Sequence, residues 1–97
     1  MRTAAKVDRN QPAIVAELRK LGFDVDHVHQ VKNLYDLVVT GVPVGHKQAA
    51  AVRVEVKMPG GALTEGEQGF WDNQLHPDNL IVAESAEDVL RWFGWIG

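Results

Sequence analysis

The alternation of apolar and polar residues is clearest in the segment VRVEVK, residues 52–57. Side chains of a β-strand point alternately to its two faces, so the three valines of this segment share one face of a strand predicted from Ala51 to Lys57. The opposite face carries three charged residues, namely Arg53, Glu55 and Lys57. A small domain therefore places a carboxylate and an ammonium beside each other at the end of a strand, and this arrangement needs an explanation.

Helical periodicity dominates the N-terminal segment. Apolar residues such as Ile14 and Leu18 recur at helical spacing and predict a helix from about Arg9 to Leu21. Pro12 fits its first turn, where a missing backbone N–H costs nothing, and Gly22 is a suitable residue to end it.

Two further helices are predicted in the second half of the chain. Thr64 followed by Glu67 has the spacing of a capping box and begins a helix in the segment LTEGEQGFWDNQL. Ser85 is the expected N-cap of a last helix, AEDVLRWFGW, whose apolar residues recur at helical spacing.

Three other segments have the composition of strands. They are Phe23–His29, Leu34–Thr40 and NLIVAES, with a polar turn near Lys32 between the first two. The predicted order is α-β-β-β-α-β-α. Strands joined by a loop should pair antiparallel, whereas the strand–helix–strand unit should form a parallel crossover. We therefore predict an α/β fold with a mixed four-stranded sheet flanked by helices.

Composition restricts the classes of function. The 97 residues, 45% hydrophobic and 24% charged, suit a single domain spanning 1–97. The absence of cysteine excludes disulfides, cysteine-ligated zinc and a cysteine nucleophile, and it agrees with a cytoplasmic location. No apolar run has the length of a membrane span, and the charged start of the chain does not resemble a signal peptide.

Charge is distributed unevenly, although the net charge is only −3. Residues 1–61 contain nine Lys/Arg against six Asp/Glu, whereas residues 62–97 contain one against seven. A polyanion should therefore approach the first two-thirds of the chain.

Asp36 is a second carboxylate that the fold can bring close to Glu55. Alternation places it on the same face of the predicted strand as Leu34 and Val38, where an acid is costly without compensation. If this strand pairs with the next one, Asp36 lies close to Glu55, and two neighbouring carboxylates repel unless a cation separates them. Carboxylate oxygens are the ligands in a chain that has no cysteine, and such ligands favour Mg²⁺ or Mn²⁺. Lys57 would point its ammonium into the same space.

The order Asp36, Glu55-x-Lys57 resembles the signature of the PD-(D/E)XK nuclease superfamily. The segments ELRKLGFDV, YDLVVTG, VRVEVK, LTEGEQGFW and LIVAESAEDVLRWFG resemble, in the same order, the small virus-type replication-repair nucleases (VRR-NUC) of phages and prophages. The resemblance covers roughly residues 8–94. It implies a restriction-endonuclease-like core, location in the bacterial cytoplasm, and metal-dependent hydrolysis of DNA, with homodimers acting on branched DNA or Holliday junctions.

The same resemblance implies a role for each site residue. Asp36, Glu55 and the backbone carbonyl of Val56 would hold Mg²⁺ or Mn²⁺, and Lys57 would lie beside the attacking water. The family often has a Glu in the first helix and a Gln early in the second. This chain departs from that pattern at the two accessory positions, Gln11 and Glu67, and at Tyr35, where the family usually has Pro.

Each of these residues also has a simpler interpretation. Glu55 and Lys57 could lie on a solvated strand face, Glu67 could serve only the capping box, and Gln11 could supply polarity at a helix start. Two other functions also agree with the sequence. One is an inactive nucleic-acid-binding or assembly module with the same fold, which the replacement at Gln11 supports, and the other is a protein adaptor that uses the acidic residues 62–97.

Overall fold

The computed structural model describes residues 8–28 and 34–97. Three helices and four strands form in the predicted order. Their bounds are α1 Gln11–Lys20, β1 Asp24–His27, β2 Leu37–Gly41, β3 Ala50–Val56, α2 Glu65–Asp72, β4 Leu80–Ala83 and α3 Ala86–Trp92. A short 3₁₀ turn, Pro77–Asn79, precedes β4. Among the described residues, no helix has the length and apolar composition needed to cross a membrane.

The four strands form one mixed sheet in the order β1-β2-β3-β4. β1 and β3 both pair antiparallel with β2, with Leu37 opposite Val54 in the central pair. β3 pairs parallel with β4, and Val54 lies beside Ile81. The predicted α/β class and the parallel β3–β4 crossover are therefore confirmed.

The alternating valines place β3 at the centre of the core. Val52, Val54 and Val56 are almost completely buried and join residues of α1 and α3 in one hydrophobic cluster on one face of the sheet. The opposite face of β3 carries Arg53, Glu55 and Lys57. Glu67 of α2 contacts Lys57, and Gln74, which follows α2, contacts Arg53. We call this opposite face the outer face. The charged face that was predicted from the sequence therefore exists, but α2 partly covers it.

The first helix ends as its sequence predicts. Gly22 has a φ of 96°, a left-handed conformation that glycine adopts without steric cost. Its N–H donates to the carbonyl of Arg19, and the N–H of Phe23 donates to that of Leu18, which together form a Schellman motif.

The strands around Asp36 are shorter than predicted. β1 ends at His27, and the predicted turn near Lys32 lies outside the described residues, as does position 29. β2 begins at Leu37, so Asp36 precedes the strand. The residues of β2 that face the core are Leu37 and Val39, and the prediction that Asp36 shares a core face with Leu34 and Val38 was therefore wrong. Three consecutive apolar residues, Leu37–Val39, made alternation ambiguous, and packing against α1 and α3 decided which face is buried.

The close approach of Phe23 to Gly41 makes the end of β2 sensitive to substitution. A Cβ at Gly41 would overlap the Phe23 ring, which Phe93 and Trp95 hold at centroid distances of 4.9 and 4.8 Å. We expect Gly41→Ala to lower the free energy of unfolding by about 1–3 kcal/mol because this ring cannot move freely. Urea unfolding followed by circular dichroism measures the change.

Gly69 provides the matched control for this substitution. It lies inside α2, and no atom is near the position of an added Cβ. Gly69→Ala should therefore raise the free energy of unfolding by about 0.5–1 kcal/mol, because alanine favours the helix. Equal effects of the two substitutions would show that the Phe23 contact is not restrictive.

Candidate active site

The pairing of β2 with β3 brings Asp36 to the end of β3. The backbone N–H of Asp36 donates to the carbonyl of Val54 at 2.9 Å. Its side-chain Oδ2 accepts the N–H of Val56 at 2.7 Å. Asp36 is thus fixed through both its backbone and its carboxylate, although it lies outside the regular strand.

The carboxyl groups of Asp36 and Glu55 lie close enough for each to shift the pKa of the other. Glu55 is only 4% exposed. Burial, followed by the charges of Asp36 and Glu67, raises the pKa of Glu55 from 4.5 to about 8. Burial also raises the pKa of Asp36, although the hydrogen bond from Val56 opposes the rise. Without a cation, the two carboxyl groups therefore share a proton at neutral pH.

Lys57 lies beside this carboxyl pair. Its Nζ is 3.5 Å from Oε2 of Glu55 and 2.7 Å from Oε1 of Glu67. Burial lowers the pKa of Lys57, but the hydrogen bond to Glu67 and the charges of both glutamates outweigh it, and the net pKa lies above its ordinary value. The ammonium is therefore charged and held in one place.

Glu67 connects the start of α2 to this ammonium. Its Oε1 accepts the backbone N–H of Thr64 at 2.9 Å, and Thr64 Oγ1 accepts the N–H of Glu67 at 3.2 Å. The predicted capping box is confirmed. Burial raises the pKa of Glu67, yet the bonds from Lys57 and Thr64 lower it more, so the net shift is downward. One carboxylate thus caps the helix and orients Lys57.

Gln11 is buried without a partner. It is 1% exposed, and both polar atoms of its amide have no hydrogen-bond partner in the structure. The neighbouring Asn10 donates to the carbonyls of Lys57 at 2.9 Å and Glu84 at 2.9 Å, which attaches the start of α1 to the ends of β3 and β4. An amide buried in this way is costly unless water or a ligand satisfies it, so Gln11 remains a candidate for contact with metal-bound water.

The direction of the Val56 backbone carbonyl follows from strand geometry. In a strand, the N–H and C=O of one residue point to the same neighbouring strand. The N–H of Val56 donates to Asp36, and Val56 lies beyond the Leu37–Val54 pair at which β2 begins. Strand geometry therefore predicts that its carbonyl points to the side of β3 on which Asp36 lies.

The carboxyl groups of Asp36 and Glu55 and the Val56 carbonyl provide oxygen ligands for a metal ion, and the site has an excess of acidic groups. Among residues 8–28 and 34–97, no three His, Cys, Asp or Glu side chains are grouped so that they alone hold a metal ion. Mg²⁺ commonly uses one or two carboxylates and keeps several waters, whereas enclosed zinc sites need three or four side chains. Asp36, Glu55 and the Val56 carbonyl therefore fit a hydrated Mg²⁺ or Mn²⁺ ion.

Sequence reasoning missed three residues near this site. Asp8 lies close enough for its charge to raise the pKa of Asp36, and Asn10 bonds the carbonyl that follows Val56. Arg53 was recognised only as part of a charged face, yet it lines a pocket next to α2. Helical periodicity could have located Asn10 as the residue before α1, but no sequence signal locates Asp8 or the pocket.

Comparisons with protein-family models, curated protein sequences and solved structures give no match for this chain. The interpretation of the site therefore depends on the residues and the geometry described above.

Proposed function

We propose that this chain is a metal-dependent DNA endonuclease of the PD-(D/E)XK superfamily and VRR-NUC type, which hydrolyses phosphodiester bonds with Mg²⁺ or Mn²⁺. The observation that carries the proposal is the convergence of Asp36, Glu55 and Lys57, which lie where the start of β2 meets the end of β3. This is the arrangement that the resemblance in sequence implies.

The energetic cost of the site favours the binding of a cation. A carboxyl whose pKa is raised to about 8 is unfavourable to ionise in the folded protein. A purely structural role would be served as well by an uncharged residue at position 55, because a buried ion pair contributes little net stability. Strongly perturbed groups beside a charged partner are typical of functional sites.

Each side chain has a separate part in the proposed reaction. A bound divalent ion would polarise the scissile phosphate and lower the pKa of a bound water. Asp36 and Glu55 would hold this ion, and the bond from Val56 keeps the Asp36 carboxylate in place. Lys57, oriented by Glu67, would stabilise the negative charge that develops on the phosphate. Its raised pKa makes Lys57 a cation rather than a general base.

The substrate we propose is DNA, including branched DNA, cut by a homodimer in the bacterial cytoplasm. Two copies would double the few phosphate contacts of a chain with net charge −3 and would provide one cut on each strand. Exposed apolar side chains at Val44, Trp95 and Ile96 supply surface that a second copy could cover.

Cleavage of supercoiled plasmid and of a synthetic four-way junction tests the proposal. We expect cleavage with Mg²⁺ or Mn²⁺ and none with EDTA. Lys57→Gln should lower the rate by about 10²–10³-fold, because it removes a charge aimed at the transition state. Gel electrophoresis of the products over time gives the rates.

Lys20→Gln is the matched control, since it removes the same charge from an exposed position at the far end of α1. It should cleave like the wild type. Cleavage in EDTA, or equal rates for Lys57→Gln and Lys20→Gln, would contradict the proposal. A folded protein that binds DNA but never cleaves it would instead support the inactive binding module.

A further inference from the structure

A polar pocket of about 470 Å³ lies beside the candidate active site. Arg53 of β3 forms one wall, and the segment that follows α2 forms the rest. The lining residues are Arg53, Asn73, Gln74, Leu75, His76 and Asn79. None of them is acidic.

The guanidinium of Arg53 is held in a fixed orientation. Its Nη1 donates to Oε1 of Gln74 at 2.6 Å, and its Nη2 donates to the carbonyl of His76 at 2.9 Å and to Oδ1 of Asn79 at 2.8 Å. The ring of Tyr35 lies 5.8 Å from the guanidinium carbon. These bonds leave two of the five N–H groups without an acceptor, namely the buried Nε–H and one hydrogen of Nη1, and the Nη1 hydrogen can donate to a ligand.

The charge of this guanidinium is not neutralised by a carboxylate. Its three acceptors are two amides and a backbone carbonyl, all uncharged. Within the part of the chain that the structure describes, Lys57 and Arg91 form ion pairs, but Arg53 forms none. A half-buried cation without a counterion favours the binding of an anion, and the planar guanidinium suits phosphate oxygens.

The pocket also lies in line with the candidate catalytic residues. Arg53, Glu55 and Lys57 occupy the same outer face of β3, where residues two apart are separated by about 6.8 Å along the strand. A nucleic-acid strand whose scissile phosphate lies at Glu55 can therefore reach Arg53 with a neighbouring phosphate.

We propose that Arg53 and its pocket form a binding site for a non-scissile phosphate of the DNA strand. This inference rests on the proposed function, because it requires a DNA strand to extend from the candidate active site to Arg53. In this arrangement Gln74, Asn79 and Tyr35 position the guanidinium, and Arg53 contacts the phosphate. The imidazole of His76, which lines the same pocket, can supply a second N–H donor.

Fluorescence anisotropy with a labelled four-way junction tests this site. Ca²⁺ replaces Mg²⁺ so that binding is measured on intact DNA, and the salt concentration is varied. Arg53→Gln should weaken binding about tenfold and reduce the slope of log K against log salt by about 1, as expected for the loss of one phosphate contact. Arg53→Lys should keep the slope and recover part of the affinity, because it keeps the charge but loses the planar guanidinium that the three bonds hold in place.

Two further variants separate phosphate binding from a structural role. Lys20→Gln removes a charge far from the pocket and should bind like the wild type. Gln74→Ala removes an acceptor of Arg53 but keeps its charge, so the salt slope should be retained. If Gln74→Ala reduces the slope as much as Arg53→Gln does, the role of Arg53 is structural: it holds the segment after α2 in place and does not contact a phosphate. Unchanged binding by Arg53→Gln, or no DNA binding by the wild type, would also overturn the proposal.

The plasmid cleavage assay separates a failure of this inference from a failure of the nuclease assignment. Arg53-dependent binding without any metal-dependent cleavage would reject the enzyme and retain the phosphate site. Cleavage that depends on Lys57, together with unaltered binding by Arg53→Gln, would retain the enzyme and reject the phosphate site.

Discussion

Replacing Glu55 by glutamine is expected to stabilise the metal-free protein at alkaline pH while it abolishes DNA cleavage. The folded protein keeps a proton on Glu55 up to about pH 8, whereas the same group in the unfolded chain loses it near 4.5. The folded state thus binds more protons between these values, and the free energy of unfolding must fall as pH rises from about 4.5 to 8. Glutamine carries no titrating proton and removes this loss.

The difference between the two proteins should therefore grow with pH. At pH 5 we expect nearly equal stability. At pH 8.5 in EDTA, Glu55→Gln should be more stable by about 1–3 kcal/mol, which corresponds to a rise in Tm of about 4–8 °C for each kcal/mol. Cleavage should fall by about 10³-fold or more, equivalent to about 4 kcal/mol of transition-state stabilisation, because the proposed metal ligand is lost.

Thermal unfolding at several pH values, together with the plasmid assay, measures both effects. Glu17→Gln is the control, because it removes a carboxylate from an exposed position on α1. Parallel pH profiles for wild type and Glu55→Gln would show that the pKa of Glu55 is not raised. A Glu55→Gln protein that cleaves at the wild-type rate would remove Glu55 from the catalytic site.

Stabilisation by Mn²⁺ should increase with pH in the wild-type protein. In the proposed site, metal and proton would compete for Glu55, and below pH 8 each bound ion would displace one proton. The apparent affinity should rise up to about tenfold per pH unit below 8 and level off above it. A concentration of 100 times Kd stabilises the folded state by about 2.7 kcal/mol, which thermal unfolding detects readily.

Titration calorimetry in buffers of different ionisation enthalpy gives the number of protons released. We expect about one proton per ion at pH 7 and almost none at pH 9.5. Asp36→Asn should lose the stabilisation, whereas Glu17→Gln should retain it. Equal stabilisation of Asp36→Asn by Mn²⁺ would place the ion at another part of the molecule, and release of no proton at pH 7 would contradict the raised pKa of Glu55.

Much of the fold was predictable because its signals are local. The alternating valines of β3, the capping box at Thr64 and the glycine that ends α1 each depend on a few neighbouring residues. Signals of this kind predicted all seven elements, and the strand–helix–strand order predicted the parallel β3–β4 pair. The boundaries near Asp36 were less accurate, because the run of apolar residues in β2 fits either face of a strand.

The candidate site was predictable only in part. Asp36, Glu55 and Lys57 were identified from their order and from a resemblance to known nucleases, and the register between β2 and β3 brings them together. The second role of Glu67 was not predictable, because its contact with Lys57 depends on how α2 packs over the sheet. Residues far apart in sequence meet only when this packing is complete.

The sequence by itself determined which segments form strands and helices and that β3 carries opposite charges on one face. Only the tertiary structure decided that α2 partly covers this face, that Glu55 is buried against Asp36, and that Arg53 lines a pocket without an acidic partner. The physical reason is the distance along the chain over which each effect acts. Periodicity and capping act within a few residues, whereas desolvation, pKa shifts and pocket shape arise from contacts between segments that are distant along the chain.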